Sequence, residues 1–220
     1  MRPSSLNRAV LLLLAVVACS LRPAAAGPAE SSVWIEVSRA NGVRFSGYRL
    51  PVKGEGMGVV TPAREIATAA HVVWGATVIT VTDAKGAKLA ARVQRFDRDV
   101  DVALLRVEQP VGDFTRFRAR PAAFGERVLA VEVRRPDGAA SFARGAIGAT
   151  RWTSHGVSVP LIFTGIKGEK GMSGGGLFDE RGELLGIIIR IDRTLGYLTA
   201  LPVAEFCARL ARCDASFYTP

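Results

Sequence analysis

The sequence predicts an all-β chain of two small barrels closed by one helix, and three observations lead there. Short runs rich in β-branched residues recur with turn residues between them along most of the chain. The rhythm weakens once, from Glu108 to Gly125, where Pro110, Gly112, Pro121 and Gly125 mark a connecting segment. One stretch with helical spacing follows Pro202, where Val203, Phe206, Cys207 and Leu210 form a single apolar face.

The first 26 residues stand outside that fold. Arg2 and Arg8 precede an apolar run, Ala9 to Ala18, of signal-peptide length and too short to span a bilayer. Ala24, Ala25 and Ala26 suit cleavage before Gly27, whereas Val16-Val17-Ala18-Cys19 resembles a lipobox in which Cys19 is acylated. Both alternatives predict export, periplasmic or extracellular, with membrane attachment only if Cys19 is lipidated. Strands of the first barrel are expected at Val33–Val37, Val43–Leu50, Gly58–Thr61, Glu65–Thr68, Val78–Thr82, Leu89–Phe96 and Val102–Val107. Those of the second are expected at Val128–Val133, Ser141–Thr150, Gly156–Val159, Leu161–Thr164, Leu177–Asp179, Leu184–Arg190 and Gly196–Leu201. The domain therefore divides into a barrel at about 32–108, a linker at about 109–125, a barrel at about 126–201 and a helix at about 202–213.

Composition narrows the function classes. With 220 residues and 49% apolar content the chain can build a real core. Loss of residues 1–26 removes Arg2, Arg8 and Arg22 and no acid, which lowers the net charge from +9 to +6. Arg116, Arg118 and Arg120 form a basic run without any nucleic-acid motif, so no nucleic-acid partner is expected. Two distant histidines and no closely spaced cysteines provide no metal cluster, and no cofactor is expected. Cys207 and Cys213 make an even pair in an oxidising compartment, but six residues of continuous helix rise about 9 Å, too far for a bridge. They can join only if the helix ends between them.

Chemistry concentrates in three places. A serine hydroxyl needs a base, and the base works best when a buried carboxylate holds its tautomer. The candidate bases are His71, at the end of a strand in EIATAAHVV, and His155, in the hairpin-like WTSHGVS. His71 sits at a barrel mouth and is preferred; His155 reads as a loop residue. In FDRDVDVALLRV, Asp97, Asp99 and Asp101 alternate, and in an extended chain all three point one way. Only Asp101 directly precedes the apolar run Val102 to Leu105, where burial demands a donor such as an imidazole N–H. Ser173 lies in GEKGMSGGGLFDERGELLGI, and glycine at 171 can turn its N–H inward to form an oxyanion hole with that of Ser173. A phosphate loop is discounted because the Lys-Ser/Thr ending is missing.

These residues together resemble the chymotrypsin-like serine proteases, closest to the HtrA/Deg protease domain among bacterial trypsin-like peptidases. GMGVV before ATAAHVV resembles the entry to the histidine strand, and DVALLRV resembles the aspartate motif. GERVLAVEVRRPDG resembles the opening of the second barrel, GMSGGGLFDERGELLGI the nucleophile loop, and LTALPVAEF the closing strand and helix. The resemblance implies two six-stranded antiparallel barrels with a cleft between them. It implies His71 as general base, Asp101 as its orienter, Ser173 as nucleophile, and Gly171 with Ser173 as oxyanion donors. Protein or peptide substrates follow from it, as does a serine endopeptidase activity.

The chain departs from the family at two positions. Met172 stands where digestive enzymes carry an aspartate that captures a freed N-terminus, so that switch is absent. Gly176 replaces the usual proline, a change expected to loosen the loop. Because the chain stops after its helix, gating by a PDZ domain is also expected to be absent. The resemblance further brings Lys167, Ile189, Arg190 and Ile191 toward the primary pocket, where a lysine could favour acidic side chains. The alternative to an enzyme is a trypsin-fold binding or scaffold protein of the cell envelope.

Overall fold

Alternating apolar residues bury one side of each strand, and in this chain nearly every long strand spends that side on a closed barrel. The structure is a computed structural model and describes residues 25–132, 140–154, 156–211 and 213–218. The first barrel comprises β1 (Ser32–Arg39), β4 (Lys53–Val60), β5 (Ile66–Ala69), β6 (Ala76–Thr82), β7 (Lys88–Asp97) and β8 (Val102–Val107). The second comprises β9 (Arg127–Val131), β10 (Phe142–Trp152), β11 (Leu161–Lys167), β12 (Gly176–Asp179), β13 (Leu184–Ile191) and β14 (Tyr197–Pro202). All pairings are antiparallel, and both sheets close on themselves. Closure leaves neither barrel with a free long edge. Counting strands within each barrel, neighbours run 1-2-3-6-5-4 in both, so the same winding occurs twice.

Strand β5 is buried throughout, and β8 is buried over its first four residues. β5 packs on β13, and a single cluster joins Ile66, Leu104 and Val111 to Phe178, Leu184 and Leu201. A second cluster, including Val128, Ile147, Met172 and Leu198, fills the second barrel alone. The barrels therefore share a core, and their relative placement is set by packing.

Three expected elements differ. Val43–Leu50 is a small hairpin, β2 (Arg44–Phe45) with β3 (Tyr48–Arg49), because Ser46 and Gly47 both take positive φ and reverse the chain. Gly156–Val159 forms no strand; Ser158 N–H donates instead to the Asp99 carbonyl at 3.0 Å. Strand β4 starts at Lys53 rather than Gly58, since Gly54, Gly56 and Gly58 occupy alternate positions where neighbouring side chains press against the backbone and mask the apolar pattern. The expected strand Val128–Val133 ends on Val133, which, like His155 and Cys19, lies outside the described residues.

The chain also forms α1 (Ala70–Val73), a single turn, and α2 (Val203–Arg209), which stops well short of residue 213. Cys207 and Cys213 lie 5.4 Å apart at Cα and are bonded, with the helix end between them. The bond starts a terminal strap that folds back on the linker. Phe117, fully buried in that linker, touches the rings of Phe206, Phe217 and Tyr218 and donates its backbone N–H to the Phe217 carbonyl at 2.7 Å. Nearby, the buried Arg118 guanidinium grips both carboxylate oxygens of Glu126 and lies 3.6 Å from Asp179. Hydrogen bonding to Glu126 raises the Arg118 pKa, and the same bond holds the Glu126 carboxyl below its usual value of 4.5.

Two outcomes follow for stability. The Cys207→Ser/Cys213→Ser variant should lose about 2 kcal/mol, the loop-closure value for so short a ring, as read by urea unfolding under oxidising conditions. Because the folded pKa of Glu126 is depressed, its contribution is present above pH 4.5 and lost as pH falls through the lower folded value. Wild-type unfolding free energy should therefore drop over that acid range, and Glu126→Gln should flatten the drop while weakening the protein at pH 7.

Candidate active site

The turn between β7 and β8 sets the first half of the site. Asp101 takes φ of 58°, is 2% exposed, and directs its carboxylate under α1. Oδ1 accepts the backbone N–H of His71 at 2.9 Å, and Oδ2 lies 2.9 Å from the ring Nδ1. The Asp101 carbonyl also accepts the N–H of Ala70 at 3.1 Å. Backbone and ring are thus held by one carboxylate, which assigns the proton to Nδ1 and leaves Nε2 facing the cleft. The expected alternation of three aspartates in an extended strand does not occur, because the chain turns after Asp97. Asp97 instead accepts Arg209 at 3.1 Å, and Asp99 is exposed.

Ser173 comes from the second barrel, in the connection from β11 to β12. Its carbonyl accepts the Met57 N–H of β4 at 2.8 Å, and the Gly174 N–H donates to Ile188 of β13 at 2.6 Å. Gly174 takes φ of 87°, and a Cβ there would overlap the Met57 carbonyl and Thr68 Oγ1. The loop is therefore seated on the first barrel chiefly through its backbone. Gly171 takes φ of 96°. Among the described residues, the N–H groups of Gly171 and Ser173 donate to no carbonyl, while those of Met172, Gly174 and Gly175 are all engaged. Two unpaired N–H groups flanking a buried Met172 are what an oxyanion site requires. The Ser173 hydroxyl makes no hydrogen bond to His71 in this resting arrangement, as is common before substrate binds.

The two departures from the family pattern have structural explanations. Met172 is 1% exposed and packs into the second-barrel cluster, with its sulfur 3.4 Å from the Glu169 N–H. Gly176 opens β12 opposite Ile187, and a Cβ there would overlap the Phe178 ring. A side chain at position 176 would enter only if the Phe178 ring and the Leu184 side chain moved.

A cleft of about 1240 Å³ runs between the barrels and is lined by His71, Asp101, Gly171, Ser173, Ile189, Arg190 and Ile191 among others. Lys167 is not among these residues: it is exposed, with its ammonium 5.7 Å from the Tyr197 ring centre. Lys170 lines the cleft in its place. Arg190 reaches Ser154 Oγ at 3.1 Å. Phe45 of the hairpin lies 6.2 Å from the His71 ring, and Tyr48 accepts a 2.7 Å bond from Arg193 of the opposite barrel. Among the described residues no group of acids, histidines and cysteines could hold a metal.

Two closed barrels of one winding, with a histidine-aspartate pair and a glycine-bound serine facing one cleft, define the class of chymotrypsin-like serine peptidases. The chain belongs to the family of the trypsin-like peptidase domain, whose model matches residues 56–187. It is similar to a Haemophilus influenzae protein named "Probable periplasmic serine protease do/HhoA-like", 30% identical over 61% of this chain and 30% of that one. A Synechocystis sp. protein carrying the name serine protease HhoB is 32% identical over 74% of this chain and 42% of its own. This chain thus spans less than half the length of either relative. Among solved structures, the HtrA-type protease AlgW with a tripeptide gives a TM-score of 0.69 at 23% identity, covering 80% of this chain and 57% of that one. The Rv3671c protease of M. tuberculosis in its inactive form gives 0.68 at 24%, covering 98% of both chains. These structural likenesses concern the fold.

Glycine at the loop seat is testable. Gly174→Ala should cost about 1–3 kcal/mol from backbone strain alone, and more from overlap with β4; Gly176→Pro should also destabilise. Thermal unfolding followed by circular dichroism reads both.

Proposed function

We propose that the protein is an exported serine endopeptidase that cleaves peptide bonds through an acyl-enzyme. The observation that carries this is the two-point hold of Asp101 on His71, backbone and ring, in the cleft that also presents Ser173. His71 Nε2 takes the Ser173 proton as the oxygen bonds to the scissile carbonyl carbon. The oxyanion is met by the N–H groups of Gly171 and Ser173. The proton then passes to the leaving amine, the C–N bond breaks, and water completes hydrolysis by the reverse use of the same imidazole. Asp101 supports the imidazolium through its bond to Nδ1.

Export rests on the signal-like residues 1–26 and suits the Cys207–Cys213 bond, which persists in an oxidising compartment. The word "periplasmic" in the name of the Haemophilus influenzae relative agrees with it. Extended protein or peptide segments are the substrates this cleft fits, with Ile189 and Ile191 offering apolar contact and Arg190 and Lys170 the charged ones. A second reading, a binding protein on the same fold, draws on the unformed bond between Ser173 and His71 and on the Tyr48–Arg193 contact across the cleft.

Labelling with a fluorophosphonate separates the two. The enzyme is modified at Ser173 and the Ser173→Ala variant is not; a folded wild type that takes no label under native conditions overturns the proposal. In the enzyme, Asp101→Asn should lower kcat on the order of 10⁴-fold with little change in KM, measured on a fluorogenic peptide.

A further inference from the structure

Arg39 is a buried cation without an acid. It ends β1, is 5% exposed, and among the described residues its guanidinium meets only backbone carbonyls. Nε donates to Trp74 at 2.8 Å and Nη1 to Pro51 at 3.2 Å. Nη2 donates to His71 at 3.2 Å and to Val72. Burial pushes its pKa down, so the charge is held there at a cost in solvation. Charged groups in such surroundings need a compensating task or a full set of partners, and here three of the four carbonyls, those of His71, Val72 and Trp74, belong to one short element and the residue that ends it.

That element is α1, the single turn carrying His71. A helix of four residues satisfies almost none of its own carbonyls: only Ala70 finds a partner, the Trp74 N–H. Among the described residues the His71 and Val72 carbonyls would otherwise stand unpaired, and the N-cap residue of α1, Ala69, has no side chain to cap it. Arg39 supplies the missing donors and places positive charge at the negative end of the turn. The chain is shaped to let it do so. A register shift between Ser38 and Arg39 on the β6 side re-aims the side chain inward. Gly54 on the facing strand leaves room, since a Cβ there would overlap Arg39 Nη1.

We infer that Arg39 is a positioning residue for the His71 imidazole. Asp101 holds the N-terminal side of the turn and the ring; Arg39 holds the carbonyls that follow. Between them the turn has no freedom to rotate His71 away from the cleft. The inference rests on the role proposed for His71, and it acts through backbone, not through contact with substrate.

Its test uses the full chain in a His155→Gln background, which leaves His71 as the single histidine. In wild type the Nδ1–H shared with Asp101 should give a slowly exchanging low-field proton resonance. Arg39→Met should broaden or abolish it with an unchanged circular dichroism spectrum, and kcat on a fluorogenic peptide should fall about 10- to 100-fold with KM within about twofold, as expected for small misplacement of a catalytic group. Arg39→Lys keeps the charge but not the fork, so it should fold and recover only part of kcat. Methylguanidinium added to Arg39→Ala should restore activity in a saturable way. A retained resonance with wild-type kcat in Arg39→Lys and Arg39→Met overturns the inference, as does a rise in KM at constant kcat, which would place Arg39 on the substrate. Should Arg39→Met fail to fold, Arg39→Lys decides alone: full kcat and an unaltered resonance overturn it. A wild type that neither cleaves peptide nor takes fluorophosphonate, yet loses its resonance on Arg39 substitution, would sink the proposed activity and leave the positioning role standing.

Discussion

Everything at this site depends on one backbone contact between two barrels. The nucleophile loop meets β4 where the Ser173 carbonyl accepts the Met57 N–H, and the next residue passes so close to the Met57 carbonyl that only glycine fits. His71 and Asp101 belong to the first barrel and Ser173 to the second, so the reacting groups have no covalent reason to be near one another. Hydrogen bonds and contact between main chains set that distance more firmly than side chains could, because no rotamer can relax them. Thr68 Oγ1, which donates to the same Met57 carbonyl at 2.6 Å, fixes the seat from the strand leading into α1.

The rest of the molecule can be understood as keeping that seat under load. The shared core through β5 and β13 presses the barrels together directly over it. On the far side, the linker is held between Leu184 and the terminal strap, with Phe117 bridging backbone to both. Arg118 adds a charged anchor to Glu126 and Asp179 at the point where the linker enters the second barrel. A buried pair of this kind contributes more to register than to net stability, since desolvation offsets much of its attraction. Phe45 lines the cleft beside His71 and is backed by Trp74, which stacks edge-on with Phe96 and carries Arg98 at 4.7 Å.

Much of this could be read from the sequence, and the division between legible and illegible follows physical lines. Strands with strong β-branched content, such as Val102–Val107, announce themselves because local propensity and burial agree. His71, Asp101 and Ser173 stand out because a polar residue abutting an apolar run demands an explanation. Strand β4 was obscured because its determinants are glycines, whose meaning lies in what approaches them. Arg39 was invisible for a similar reason: its partners are carbonyls, which every residue has and no sequence displays. Lys167 and Lys170 differ by three positions, and only the path of the loop after β11 decides which one reaches the cleft. The one-turn α1 is too short for any periodicity, and its existence depends on donors from Arg39 of β1 and acceptors from Asp101 of the β7–β8 turn.

The repeated winding of the two barrels has a consequence for where chemistry resides. His71 lies in the connection from the third to the fourth strand of the first barrel, and Ser173 lies in the corresponding connection of the second. The proton acceptor and the group that surrenders the proton thus occupy equivalent addresses in two halves with no visible internal repeat in sequence. One half made that address a helical turn gripped at both ends; the other made it a glycine loop that almost vanishes as a surface. The scaffold is close to a duplicate in topology, and its polarity arises only from what each copy carries at the same place.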